Sequence, residues 1–366
     1  MTPTGTEPLW VATDRLLERA SLAGILAHKL GPLAASRLRR LGRPLPRPLL
    51  DEERAASLAM LTATPLIHRI RDGCDGPLLL LKGPEIAQLY PRNGRRFGDV
   101  DVLTPTADDV QRSLLQSGFV PSEPDFDLFD EEQHHHLEPL RWPTIWLNVE
   151  VHSGPNWPPR AHRPPLGEIL EAAVPSACGI AGVLAPHPLH HALILTSHAW
   201  RHEPLFALRD LIDIAVLSQA LDADELDRLA SRWGIDRIWA TTRAAIEGLF
   251  YGGRRTVPLR TWARQLERVE ERTVFENHLQ RWLHVFWELP FPAALGQTTQ
   301  VLRSEVVPAE GESWGAKLGR VAGAVRNPGA AVERAPIKLR AATLPPAEDP
   351  ASGQQVGDDD LTSSGG

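Results

Sequence analysis

An α+β fold, a small mixed sheet with helices flanked by helical segments on both sides in the chain, is predicted by three observations. Residues 11 to about 75 carry apolar side chains at helical spacing. Between Pro77 and about Val151, short leucine- and valine-rich runs alternate with turn residues. From about 165 to 335, helical periodicity returns with many tryptophans. The expected organisation is an N-terminal helical segment (1–75), an α/β core (76–160), a helical domain (161–335) and a tail (336–366). The tail is rich in Pro, Gly, Asp and Ser and is expected to be disordered, because it cannot bury enough apolar surface to order itself.

Each element has a local reason. In ATDRLLERASLAGILAHKL, Leu16, Leu17, Ala20, Leu22, Ile25 and Leu26 recur at helical spacing behind an N-cap at Thr13 or Asp14. The RPLPRP run at 43–48 breaks that helix. A second helix is expected from Asp51 towards Ile70, with Pro65 as a kink or restart. The apolar run 78–81 reads as a buried strand, because Lys82-Gly83-Pro84 stops any helix and Pro84 suits the first turn of a new one, Glu85 to Tyr90. DVDVL at 99–103 is the next strand, followed by a helix capped at Thr106 and stopped at Gly118. HHHLEPLRW and IWLNVEVHS read as an antiparallel pair joined at Pro143-Thr144.

Composition excludes several classes. A 366-residue chain with 42% hydrophobic and 23% charged residues can bury a substantial core. A net charge of −7 argues against a dedicated nucleic-acid surface. Arg92, Arg95 and Arg96 could still hold a small phosphorylated ligand. Two cysteines, Cys74 and Cys178, leave neither a disulfide framework nor a Cys-based zinc site. With no signal-peptide pattern and no apolar run of membrane-spanning length, a cytoplasmic location without membrane partners is expected. The 11 tryptophans, spread from Trp10 to Trp314, read as packing residues and not as one binding platform.

Asp99 and Asp101 carry the chemistry. Residues i and i+2 of a strand point to one side, so two carboxylates stand together while Val100 and Val102 face away. Neighbouring anions resist joint ionisation unless a cation lies between them, and a hard oxygen-ligated ion such as Mg²⁺, with Mn²⁺ as the alternative, answers that need. The turn after the first strand adds an anion site, with Lys82 as a point charge beside the amides that follow Gly83. On the later strand Asn148, Glu150 and His152 share one face. His134 and His136 alternate on another strand, but without Cys or a fourth ligand they read as substrate contacts and not as a zinc site. His198 and His202 lie four apart on one helix edge, and Arg209 with Asp213 reads as an ordinary i, i+4 pair.

Together these motifs resemble the DNA polymerase β-like nucleotidyltransferase superfamily. More narrowly, the chain resembles an uncharacterised bacterial nucleotidyltransferase family. The residues that carry the resemblance are Leu81-Lys82-Gly83, Arg95 or Arg96 before Gly98-Asp99-Val100-Asp101, Glu150-Val151-His152, and the segment from His198 to Asp213, within residues 15 to 250. The resemblance implies a polymerase β-like core and Mg²⁺-dependent transfer of a nucleoside monophosphate from an NTP to an acceptor hydroxyl or similar group. It implies Asp99, Asp101 and Glu150 as catalytic metal ligands, and Lys82, Gly83 and Arg95 or Arg96 as nucleotide-phosphate contacts. His136, His152, His198 and His202 are then candidates for the pocket of a small-molecule or peptide acceptor. The wider superfamily has Gly-Ser where this chain has Lys82-Gly83-Pro84. Two alternatives follow: a DxD glycosyltransferase using a sugar nucleotide, or a catalytically inactive nucleotide-binding module.

Overall fold

The structure, a computed structural model, describes residues 7–122, 137–159, 161–308, 313–317 and 319. The expected tail and the histidines at 134–136 lie outside the described residues.

The N-terminal part is helical, as the spacing predicts, but it begins earlier. Helix α1 spans Glu7–Arg19, and Thr13 is a buried interior residue, not a cap. Its hydroxyl donates to the Leu9 carbonyl at 2.8 Å, the back-bond a helical threonine can make. Helix α2 (Leu22–Ala27) has a side-chain cap, Ser21 accepting from the Gly24 amide at 3.0 Å. Helix α3 (Gly31–Arg40) precedes the proline break, and α4 (Arg47–Asp72) runs through Pro65. Pro65 and Leu61, the residue whose carbonyl Pro65 cannot serve, both lie on the exposed side of α4. A solvent-facing carbonyl tolerates that loss.

The sheet has seven strands: β1 (Leu78–Leu80), β2 (Asp99–Leu103), β3 (Val120–Pro121), β4 (Leu140–Arg141), β5 (Asn148–His152), β6 (Val174–Pro175) and β7 (Val183–Ala185). Their order is β3-β4-β5-β2-β1-β7-β6. The fold is thus α+β with a mixed sheet: β2 runs antiparallel to β1 and parallel to β5, while β4 and β5 form the predicted antiparallel pair. Strands β6 and β7 fall in a stretch expected to be mostly helical. At two and three residues they are too short to show a period, and the left-handed Gly179 and Gly182 between them turn the chain back.

Period-two alternation divides the sheet's two faces. Leu78, Leu80, Val100, Val102, Val149 and Val151 pack in one cluster with Leu66, Ile67 and Ile70 of α4 and with Val110 and Leu114 of α6 (Ala107–Gln116). Leu79, Leu81 and Leu103 belong to a second cluster. There they meet α8 (Pro188–His202) and α9 (Leu208–Ser218), through side chains such as Leu193, Leu211 and Ile212. Trp157, Trp200, Trp233, Trp239 and Trp262 are buried, as packing residues should be. Asp101 and Glu150 therefore point to the face that α8 and α9 cover. Among the described residues, no helix is long and apolar enough to cross a membrane.

Gly83 controls how β1 leads into the site. It has φ +61° and ψ −123° and precedes α5 (Pro84–Ala87), a helix of only 4 residues. A Cβ at Gly83 would lie 2.8 Å from the Asp99 carbonyl oxygen on β2. Both backbone angle and space demand glycine. Gly83→Ala is expected to lower the unfolding free energy by about 2 kcal/mol or more, since the left-handed region alone costs a side chain about 1–2 kcal/mol. Urea unfolding measures this, and a variant as stable as the parent would contradict the close approach.

Candidate active site

The parallel pairing of β2 with β5 sets Asp101 directly beside Glu150, in register. Asp101 is only 1% exposed, and His152, one alternation further along β5, is 2% exposed. His152 Nε2 lies 3.3 Å from Asp101 Oδ1 and 3.7 Å from Glu150 Oε2. From β1, the Lys82 ammonium reaches 3.5 Å from Asp101 Oδ1. Asp99 stands one alternation before Asp101 and is half-buried.

Helix α8 closes the other side. His191 hydrogen-bonds the Leu81 carbonyl through Nε2 at 2.5 Å, pinning α8 to the end of β1. Two turns later on the same helix edge, His198 Nε2 stands 2.6 Å from Lys82 Nζ. The His198 and His202 rings are 4.4 Å apart, and Asn156 Nδ2 donates to His202 Nε2 at 3.3 Å. Burial lowers the pKa of His191 to about 4, so its ring is neutral at pH 7. Of the two histidines predicted on this helix, His198 is therefore brought to Lys82 and His202 to Asn156, while His152 lies deeper, against the carboxylates.

Charge is unevenly matched here. Burial favours protonated Asp101, but the Lys82 charge and the His152 contact outweigh it and hold this carboxyl well below its ordinary range. Asp99 is pushed up, by burial first and by Asp101 second. Glu150 is pushed well up, by burial, then Asp101, then Asp99. Three carboxyl groups thus share Lys82 as their near cation. Asp101 Oδ2 is buried and has no hydrogen-bond partner among the described residues. Asp101, Glu150 and His152 each offer one ligand atom, all within 4.8 Å of one another. Two carboxylates, one with an unpaired buried oxygen, and an imidazole fit a divalent cation. The triad differs from the expected set in that His152 stands in it and Asp99 stands beside it.

The two arginines expected to meet phosphates are placed otherwise. Arg95 is buried, its Nε and Nη2 donating to both oxygens of Asp213 at 2.8 and 2.7 Å, and Nη1 reaching the Gly83 carbonyl at 3.4 Å. Tyr90 adds a hydroxyl bond to Asp213 at 2.6 Å. Arg96 pairs with Glu52 of α4. Asp213 is not the partner of Arg209, as the spacing suggests; Arg209 pairs with Asp210 at 3.5 Å instead. The cradle after Gly83 is also smaller than expected. Pro84 has no N–H, and the Glu85 and Ala87 amides donate back to the Lys82 and Gly83 carbonyls. Asn156, Tyr90 and the inward role of Arg95 carry no local sequence signal, because their partners lie 42 to 123 residues away.

The Arg95–Asp213 pair has a pH signature. Burial opposes the Asp213 carboxylate, yet Arg95 keeps its pKa below the ordinary value. Its contribution to stability is therefore full above the unfolded carboxyl pKa of about 3.9 and fades as pH falls through the lower folded value. Arg95→Met, which strands the buried carboxylate, is expected to cost about 3–5 kcal/mol at pH 7. That deficit should narrow towards pH 4, where a proton replaces the arginine. Urea midpoints at the two pH values read it, and a pH-independent deficit would contradict this picture.

A family model described as an uncharacterised nucleotidyltransferase matches residues 16–250. No curated protein matches the chain. Among solved structures, the crystal structure of ANT(2″)-Ia in complex with adenylyl-2″-tobramycin is 18% identical and aligns over 47% of this chain and 97% of its own, with a TM-score of 0.33.

Proposed function

The chain belongs to the uncharacterised nucleotidyltransferase family, and from that premise we propose that it transfers a nucleoside monophosphate from a nucleoside triphosphate to an acceptor hydroxyl or similar group. The observation that carries this reading is Asp101 Oδ2, buried and unpartnered among the described residues, on a strand that holds Asp101 in register with Glu150. Asp101, Glu150 and His152 would hold a divalent ion, Mg²⁺ by preference, with Asp99 as the adjoining carboxylate. When bound, such an ion neutralises the triphosphate and acidifies the acceptor hydroxyl.

The chain's own groups supply the remaining work. The acceptor oxygen bonds the α-phosphorus, the bond to the β-phosphate oxygen breaks, and pyrophosphate leaves with its electron pair. Glu150, paired in register with Asp101, would take the acceptor's proton as general base. Lys82, between Asp101 and His198, supplies positive charge near the departing phosphates. His198, His202 and Asn156 line the side where the acceptor would lie.

Two variants test the reading in opposite directions on activity and stability. Asp101→Asn should abolish divalent-dependent transfer of label from an α-labelled triphosphate. Glu150→Gln should lose about 10²–10⁴-fold in rate while keeping or raising its thermal midpoint, since it removes a carboxyl that burial and two neighbours disfavour. A fully active Asp101→Asn variant would remove the proposal.

A further inference from the structure

The N-terminal helices carry a charge opposite in sign to that of the whole chain. The net charge is −7, yet the first 47 residues hold eight Lys and Arg against three Asp and Glu. Helix α1 buries Leu9, Thr13 and Leu17 on one side. Its other side presents Val11, Asp14, Arg15 and Glu18 at helical spacing. Helix α3 buries its first five residues and ends in Arg37, Arg39 and Arg40, where cations suit the negative end of the helix. Two ion pairs align the helices: Glu18 with Arg37 at 3.6 Å and Asp14 with Arg40 at 2.6 Å. The later residue of α1 meets the earlier residue of α3, so the two run antiparallel.

An open groove of about 250 Å³ lies between α1 and α3, lined by these two ion pairs and by Val11, Arg15 and Leu41. The antiparallel order places Val11 and Leu41 at the same end of it, and they are 45% and 51% exposed. The groove is thus apolar at one end and charged along its length. Asp14 and Glu18 engage Arg40 and Arg37, but the pairs are exposed, and exposed pairs hold their partners weakly enough to exchange them. Arg39 pairs with Glu53 of α4 at 2.6 Å. Arg15 and Arg19 have no ion pair among the described residues, and they stand one turn apart on the same side of α1. Unpaired positive charge beside an apolar notch between two helices matches a helical segment with acids and an aliphatic side chain on one face. A nucleic acid fits less well, because base stacking needs aromatic rings and this groove offers valine and leucine.

We propose that the α1–α3 groove docks an acidic amphipathic helix of a partner protein. The aliphatic residue of that helix seats between Val11 and Leu41, and its carboxylates, one and two turns on, meet Arg15, Arg37 and Arg40. None of the groove residues belongs to the carboxylate site, so the docking surface stands or falls independently of the transfer reading. The probe is a fluorescein-labelled, alanine-based helical peptide with one leucine and glutamates one and two turns after it. Fluorescence anisotropy follows its binding to the full chain and to Arg15→Glu, Leu41→Gln and the double variant, at about 0.05 and 0.3 M salt. Both substituted side chains are exposed, so the thermal midpoints should match that of the parent. Arg15→Glu should weaken the peptide about ten-fold or more, the effect of replacing a charge-assisted contact with a like charge. Leu41→Gln should weaken it by a smaller factor, and the higher salt should weaken it for the parent. A peptide with glutamine for glutamate, and one with alanine for leucine, test the same contacts with the protein unchanged, and both should bind more weakly. No binding of the acidic peptide by the parent at the lower salt, equal affinity for the glutamine peptide, or unchanged affinity in the double variant would overturn the docking surface. Tighter binding of a thymidine oligonucleotide, or of vesicles of phosphatidylserine and phosphatidylcholine, would overturn it as well and assign the basic helices to another polyanion.

Discussion

The register between β2 and β5 is the constraint on which the site depends. One residue pairing, Asp101 with Glu150, brings two acids from distant parts of the chain to the same sheet face. Asp99 and His152 follow from the same alternation, before and after it. A slip by one residue on either strand would turn its polar groups into the aliphatic cluster beneath and bring valines to the site. The apolar cluster of Val100, Val102, Val149 and Val151 against α4 and α6 therefore fixes the chemistry as firmly as it fixes the fold. Hydrophobic burial on one face sets the geometry of charge on the other.

That charge is not balanced within the chain. Lys82 and the His152 contact suffice to keep Asp101 ionised, but Asp99 and Glu150 are left with raised pKa values. A structural ion pair would match its partners and satisfy every oxygen. Here a buried carboxylate oxygen lacks a donor among the described residues, which costs stability unless something binds. Around this deficit the frame is braced by fully matched interactions. Arg95 joins Asp213 of α9 to the Gly83 turn, and His191 joins α8 to the end of β1. The balanced contacts lie in the supports and the imbalance lies in the site, a division that suits a frame made to receive a charged substrate.

Much of the site was legible because strand geometry has a short period. Two aspartates two residues apart in a valine run, and a glutamate two before a histidine on a later strand, need only alternation to be read. The pairing of His198 with His202 needs only the helical repeat. The rest depends on partners far away in sequence. Nothing near Arg95 says that it turns inward to Asp213 while Arg96 reaches Glu52; that choice is made by α9 and α4. His152 looks like a strand-end residue, yet it is buried against Asp101 and Glu150. Thr13 looks like a helix cap, since hydroxyls before apolar runs usually are, but the Leu9 and Trp10 side chains, which pack with the core, carry the helix further back. Strands β6 and β7 are too short for any period to show.

The central claim is that the in-register pair on β2 and β5 gathers a divalent cation. The most direct measurement is a crystal of the full chain grown with Mn²⁺ and a non-hydrolysable nucleoside triphosphate, with anomalous scattering recorded at the manganese edge. The account predicts a peak bridging the Asp101 and Glu150 carboxylates, at a normal oxygen-ligand distance of about 2 Å, with triphosphate oxygens completing the shell. Well-ordered Asp101 and Glu150 side chains with no anomalous density between them, or a metal bound elsewhere on the chain, would contradict it.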